Sequence, residues 1–157
     1  MTKKNSSNAA SRPSSSARSQ ARRYAMQALY EWQMSGSSPR DIEQQFLIEH
    51  ASRNFDREYF HELLKQVTTL SEELDELISP CLDRAINEVD IVEKAILSLA
   101  TYELKNRLDI PYRVVINEAI ELAKTFGADQ AHKFVNGTLD KLAAELRSIE
   151  VTAKRNS

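Results

Sequence analysis

Lys133 and Phe134 are neighbours whose side chains suit single-stranded nucleic acid: a cation for phosphate and an aromatic ring for a base. They lie in the segment 126–137, which reads FGADQAHKFVNG. The apolar residues that follow are spaced by four, three and four, as on one side of a helix: Val135, Leu139, Leu142 and Leu146. Because Phe134 would lie about 100° from Val135 on that helix, we predict a ring displayed to bases. The alternative is that it packs under a neighbouring helix.

The predicted start of this helix also favours a phosphate. Gly127 suits the left-handed position that ends the preceding helix, and Asp129 can cap the next helix by accepting backbone N–H bonds. Lys133 and Phe134 would then lie near a helix start, where free N–H groups and the helix dipole attract an anion.

The basic residues are unevenly distributed along the chain. The net charge is −2, yet residues 1–30 hold six basic side chains and no acidic one, so the remainder carries −8. The six are Lys3, Lys4, Arg12, Arg18, Arg22 and Arg23. Such an arm suits a polyanion, and its last two arginines fall in a predicted helix that would hold them in place. The alternative is a solvated tail that only aids solubility.

Groups that could catalyse a reaction are sparse. His50, His61 and His132 lie on three different predicted elements, and no Cys or His pair has metal-ligand spacing. Cys81 has no His or Lys nearby in sequence to activate it, so we interpret it as a structural or merely exposed thiol. Neither a glycine-rich phosphate loop nor a dinucleotide fingerprint occurs. We therefore predict no enzyme activity, no metal and no cofactor.

Length and composition favour one helical domain in the cytoplasm. The chain has 157 residues, and its three glycines and four prolines are too few for a turn-rich β fold. One cysteine rules out an internal disulfide. No apolar run approaches the ~18 residues of a membrane span, and the N-terminus lacks the apolar segment of a signal peptide. We expect a cytoplasmic protein without a membrane partner.

The chain divides into a predicted tail, a helical domain and a frayed end. Residues 1–17 are rich in Ser and poor in large apolar residues, so we expect a flexible basic tail. The helical domain is predicted over 18–148, as two packed subdomains of roughly 18–79 and 88–148, and residues 149–157 are expected to fray. No segment alternates convincingly between apolar and polar residues, so the predicted fold class is all-α.

Capping residues and apolar spacing give the predicted helix boundaries. Gly36 should end the first helix, and Ser38-Pro39 should open the second. An apolar stripe over 60–77 predicts one helix of some five turns. Asn87 is the predicted cap of a mostly apolar central helix, and the final helix is expected to run over about 131–147.

Four motifs resemble the bacterial NusB family of transcription antitermination factors. They are ARRYAMQALYEW at 21–32, VEKAIL at 92–97, INEAIELAK at 116–124 and HKFVNG at 132–137. The resemblance covers about 18–147, and the last two motifs in series are highly specific. It implies an all-helical, noncatalytic protein that binds boxA RNA together with the ribosomal protein NusE. Such proteins help RNA polymerase resist termination in ribosomal RNA operons.

The resemblance also implies binding residues. The family's RNA contacts carry over to Arg18, Arg22, Lys133 and Phe134, and its NusE-facing surface carries over to Tyr30 and Glu93. An acidic residue on the otherwise apolar central helix is a plausible docking group, although Glu93 could instead be a favourable charge in the first turn of that helix. The alternative function is a helical protein-interaction module without specific RNA binding.

Overall fold

The computed structural model describes residues 14–156, with side chains through residue 153. In this part of the chain the regular elements are all helical, which confirms the predicted fold class. The α-helices are α1 (Ser15–Ser35), α2 (Pro39–Glu49), α3 (Arg57–Thr69), α4 (Ser71–Ile78), α5 (Ile91–Asn106), α6 (Tyr112–Phe126), α7 (Ala131–Leu146) and α8 (Ser148–Asn156). Two short 3₁₀ helices, Ser79–Cys81 and Ile86–Glu88, lie between α4 and α5.

Helix α5 lies at the centre of the molecule. It packs against α1, α3, α4, α6 and α7, and every residue from 95 to 104 is buried. A helix that is apolar on most sides can be stable only with neighbours on most sides. The two halves, α1–α4 and α5–α8, therefore share one continuous core. None of the described helices is both long and apolar enough to cross a membrane.

The turn between α1 and α2 is as predicted. Gly36 has φ 72°, and its N–H bonds to the carbonyl of Trp32, which closes α1 with a left-handed residue. The Ser38 side chain accepts the N–H of Asp41, and Pro39 occupies the first turn of α2.

Helix α1 begins earlier than the sequence pattern indicated. Its cap is Ser14, whose hydroxyl oxygen accepts the N–H of Ala17 at 3.0 Å. Burial of Ala17 against the rest of the protein offsets the entropy of ordering this turn. Residues 15–17 of the predicted tail are thus helical; residues 1–13 of that tail lie outside the described part of the chain.

The predicted five-turn helix over 60–77 is wrong, because the chain forms two helices that meet at Leu70. The hydroxyl of Thr68 donates to the carbonyl of Leu64, and that of Thr69 donates to the carbonyl of Lys65. Such back-bonding bends a helix. The apolar face nevertheless continues through the bend, so the burial predicted from its spacing is retained.

The turn that leads into α7 is not built as predicted. Gly127 has φ −83° and ψ 167°, an extended rather than left-handed conformation. A glycine is required there for space, because an added Cβ would lie 2.7 Å from both the Ala123 carbonyl oxygen and the Ala131 Cβ. The left-handed residue is Gln130, with φ 71°, which occupies the cap position of α7 in place of Asp129.

The cap of α5 also differs from the prediction. Asn87 lies in a 3₁₀ helix, and Asp90 accepts the N–H groups of Val92 and Glu93 at 2.9 and 3.4 Å. Both residues are types that cap helices; local sequence alone did not decide between them.

The C-terminal segment forms a further helix instead of fraying. Arg147 interrupts the chain between α7 and α8, and its buried guanidinium donates to the carbonyls of Glu103, Leu104 and Arg107. These carbonyls belong to the last turn of α5 and the residue that follows it, where helices run short of internal donors. Those of Glu103 and Arg107 also accept the N–H groups of Arg107 and Ile110, so the guanidinium matters most for Leu104. The arginine thus ties the C-terminal end of α5 to the start of α8.

Candidate nucleic-acid interface

Phe134 lies in the first turn of α7, with one part of its ring against the core and another beneath a cation. The ring is half-buried and packs on buried apolar residues. The guanidinium carbon of Arg84 lies 4.4 Å from the ring centroid, within the range of a cation–π contact. Lys133, the preceding residue, is exposed. The structure therefore places the aromatic ring and two cations together, with Phe134 neither fully displayed nor fully covered.

Arg84 is held by acidic neighbours. Its Nε donates to the Asp83 carboxylate at 2.9 Å. This hydrogen bond raises the pKa of Arg84 and lowers that of Asp83. Glu93 and Glu88 also favour the charged guanidinium and raise the same pKa. Arg84 is thus a permanent cation beside the Phe134 ring.

A second arginine–aromatic pair lies at the end of α6, before the turn that leads into α7. Arg23 is exposed on α1, and its guanidinium carbon lies 5.1 Å from the ring centroid of Phe126, the last residue of α6. Arg23 and Phe126 were not among the predicted site residues. Helical spacing could have indicated that Arg22 lies on the buried face of α1 and Arg23 does not. Ala25 and Leu29, three and seven positions after Arg22, are both buried.

Arg18 lies near the start of α1 and is half-buried. Its guanidinium carbon is 4.3 Å from the ring centroid of Tyr59, and its Nε is 3.7 Å from an Asp56 carboxylate oxygen. That Nε is buried without a hydrogen-bond partner among the described atoms. Arg18 also lines an open cavity of about 590 Å³ together with Ser14, Ser15, Ser19, Arg22, Asp109, Ile110, Pro111, Val114 and Glu118.

Arg22 lies in the interior, unlike the other cations of α1. It is 4% exposed, and its guanidinium donates to Glu103 on α5 and Glu118 on α6. Burial opposes its charge, but the attraction of Glu103 and their hydrogen bond outweigh that effect and raise the pKa of Arg22. The charge that a phosphate would need is therefore already neutralised within the protein.

Tyr59 completes this buried polar cluster. Its hydroxyl donates to the Glu103 carboxylate, and burial followed by the charge of Glu103 raises the pKa of Tyr59. The guanidinium carbons of Arg22 and Arg107 lie 5.5 and 5.0 Å from its ring centroid. These contacts join α1, α3 and α5 beneath Arg18.

The two residues expected to face a protein partner have different exposures. Tyr30 is 40% exposed on α1, whereas Glu93 in the first turn of α5 is only 8% exposed. Burial, and next the charge of Asp90, raise the pKa of Glu93, while Arg84 lowers it. Arg84 thus interacts electrostatically with Glu93 of the predicted partner surface and also lies over Phe134 of the predicted RNA surface.

The six predicted site residues thus do not form one exposed patch. Lys133 and Phe134 lie at the start of α7, Arg18 and Arg22 pack beside Tyr59, and Glu93 lies near Arg84. Sequence reasoning missed Arg84 because it lies in an irregular connection fifty residues before Phe134, where no periodicity indicates a neighbour. Within the described residues, no cluster of three or more His, Cys, Asp or Glu side chains could hold a metal ion.

Comparisons with known proteins show extensive similarity. The NusB family model matches residues 19–144. The transcription antitermination protein NusB of Alcanivorax borkumensis is 55% identical over 140 residues, which cover 89% of this chain and 93% of that protein. A solved structure of T. maritima NusB is 34% identical, with a TM-score of 0.71 over 81% of this chain and 90% of its own. A crystal structure of antitermination factors NusB and NusE with double-stranded RNA contains a chain 28% identical to this one. Its TM-score is 0.75, over 84% of this chain and 99% of that chain.

Proposed function

The chain belongs to the NusB family, and on that premise we propose that it is a noncatalytic RNA-binding transcription antitermination factor. It binds boxA-type single-stranded RNA of ribosomal RNA operon transcripts together with NusE, within an antitermination complex of RNA polymerase. One observation carries this proposal: the chain is similar to 99% of a chain from the crystal structure of NusB and NusE with double-stranded RNA. Because nascent transcripts are its targets, we place its function in the cytoplasm.

We assign the RNA surface to the start of α7 and the exposed cations near it. Phe134 supplies an aromatic platform, and base stacking of this kind contributes roughly 1–3 kcal/mol per base. Lys133 and Arg23 are exposed and carry charge that can meet phosphates. Arg18 is a further phosphate contact at the start of α1. Arg22 acts indirectly in this proposal: its buried ion pair with Glu103 fixes α1, which carries Arg18 and Arg23.

We assign the NusE-facing surface to Tyr30 and Glu93. Tyr30 offers an exposed ring with a hydroxyl, a combination that is common in protein interfaces. Glu93 is partly desolvated before any partner arrives, so less hydration is lost when a cationic group binds it. Its small exposed fraction limits this role to one well-placed charge.

Binding to a boxA-type RNA and to a scrambled RNA, each across a salt series and with or without NusE, tests the proposal. We expect a preference for boxA that becomes tighter with NusE. Equal and steeply salt-dependent binding to both RNAs would contradict specific recognition, since backbone charge alone produces that behaviour. That result would favour a helical protein-interaction module.

A further inference from the structure

The Arg84 guanidinium lies over the ring of Phe134, which also packs against the core. The Phe134 ring is half-buried, the Arg84 guanidinium carbon lies 4.4 Å from its centroid, and the Arg84 side chain remains 40% exposed. A base that approached this ring from solvent would meet the guanidinium. The outer layer of the proposed stacking platform is therefore Arg84.

A guanidinium is well suited to this position. It is planar and weakly hydrated, and unpaired RNA bases stack on arginine planes as well as on aromatic rings. Contact with the Phe134 ring and the bond from its Nε to Asp83 hold the Arg84 guanidinium in place. Arg84 thus loses little further freedom when a base binds, which lowers the entropic cost of the contact.

We infer that Arg84 is an RNA-contacting residue of this protein: an unpaired base stacks on its guanidinium, and Phe134 is the support beneath. This inference rests on the proposed RNA-binding function. It changes the role of Phe134 from direct contact to the inner layer of a two-layer platform. It also identifies a site residue in the connection between α4 and α5, outside the four motifs that resemble the NusB family.

The position of Arg84 also links this platform to the proposed partner surface. Glu93 lies close enough to interact with the Arg84 charge.

Arg84→Ala and Arg84→Lys together test the inference in the full-length protein. Titration of a labelled boxA-type RNA and a scrambled RNA gives the affinities, and thermal melting by circular dichroism reports folding. We expect each substitution to weaken boxA binding by about tenfold, within the range for loss of one stacked base. Lysine should not restore affinity, because an ammonium has no planar face. Neither substitution should change the melting profile, since Arg84 is exposed.

Arg40→Ala is the matched control. Arg40 is an exposed arginine on α2, which packs against α1 and α3. The Arg40→Ala substitution removes one positive charge, as Arg84→Ala does, so a general electrostatic effect would appear in both variants. We expect the boxA affinity of Arg40→Ala to lie within about twofold of the unsubstituted protein, since Arg40 is not among the proposed RNA contacts and exposed charges are screened by salt.

The other outcomes are decisive. Unchanged boxA binding in Arg84→Ala, alongside a clear boxA preference of the unsubstituted protein, would refute the role of Arg84 alone. Tighter binding in Arg84→Ala would show that the arginine masks Phe134. Full boxA affinity in Arg84→Lys would contradict base stacking on Arg84, because a positive charge alone would then explain its contribution. No boxA preference in the unsubstituted protein would overturn the proposed function and this inference with it.

Discussion

Arg22 on α1 and Glu103 on α5 form an ion pair in the interior of the protein. The Nε of Arg22 lies 3.0 Å from each Glu103 carboxylate oxygen, and the two side chains are 5% and 2% exposed. Removing one partner of such a pair leaves a buried charge without compensation, which costs far more than losing both. The pair therefore fixes α1 against the central helix.

We expect Glu103→Gln to lower the free energy of unfolding by up to about 3–5 kcal/mol, because Arg22 then keeps only the more exposed Glu118 carboxylate, 3.4 Å away, as a counter-charge. Urea unfolding measures the change. The double substitution Arg22→Met with Glu103→Leu should recover part of the loss, since no charge of the pair remains buried, while the Tyr59 hydroxyl still loses its acceptor. A loss of stability in the double variant equal to the sum of the losses in the two single variants would contradict this account of the pair.

Phe134→Ala should reduce RNA affinity by about tenfold, because the aromatic platform for a base is lost. Helicity should be retained, because a half-buried ring contributes only part of its area to the core. Leu139 is the control from the same helix, since it is fully buried. Leu139→Ala should lower the free energy of unfolding by about 2–5 kcal/mol. Circular dichroism with RNA titration distinguishes the two. Equal loss of folding in both variants would remove Phe134 from the RNA surface.

Glu93→Gln should increase stability near neutral pH. The pKa of Glu93 is raised in the folded protein, so this carboxyl contributes stability that is complete below its unfolded pKa of about 4.3. That contribution is lost as the pH rises through the folded pKa. The advantage of the glutamine variant should therefore be present at about pH 7 and shrink towards pH 4 in urea unfolding.

The same Glu93→Gln variant should bind NusE more weakly, because the docking charge is absent. Glu88→Gln is the control, since Glu88 is exposed and lies just before α5. Normal NusE affinity of Glu93→Gln would remove Glu93 from the partner surface. A glutamine variant less stable than the unsubstituted protein at neutral pH would contradict the cost assigned to burial.

Arg147→Ala should destabilise the protein, because the buried Leu104 carbonyl loses its donor. The carbonyls of Glu103 and Arg107 lose a second donor but keep the N–H groups of Arg107 and Ile110. Each buried acceptor left unsatisfied costs roughly 1–3 kcal/mol. Urea unfolding measures the loss. Arg113→Ala is the control, since Arg113 is exposed, and it should change stability by less than about 0.5 kcal/mol. Similar values for the two variants would remove the capping role of Arg147.

Gly127→Ala and Gln130→Gly should have opposite effects on stability. A Cβ at Gly127 would lie 2.7 Å from the Ala123 carbonyl oxygen, and such overpacking costs about 1–3 kcal/mol. Gln130 holds φ 71°, so glycine there should relieve strain and raise stability by up to about 1 kcal/mol. The melting temperatures of the two variants measure both changes in stability. Destabilisation by Gln130→Gly would show that its side chain stabilises the turn.

Much of the fold could be predicted from the sequence, because helices and their buried faces depend on residues a few positions apart. The stripe Val135, Leu139 and Leu142 is buried as its spacing predicts, and Gly36 closes α1 as expected. Predictions at the turns were weaker. Asn87 and Asp129 could each cap a helix by type, but Asp90 and Gln130 occupy those positions, since packing of the helices sets where the chain turns.

The sequence by itself determined the helical class, the apolar face of each long helix and the family resemblance. Only the tertiary structure decided which charges are available to a ligand. Arg22 and Arg23 are adjacent in sequence, yet one is buried against Glu103 and the other is exposed. Arg84 likewise lies over Phe134 through contact between distant segments. Burial and ion pairing depend on how helices pack, and residues separated by fifty or eighty positions leave no local pattern that records it.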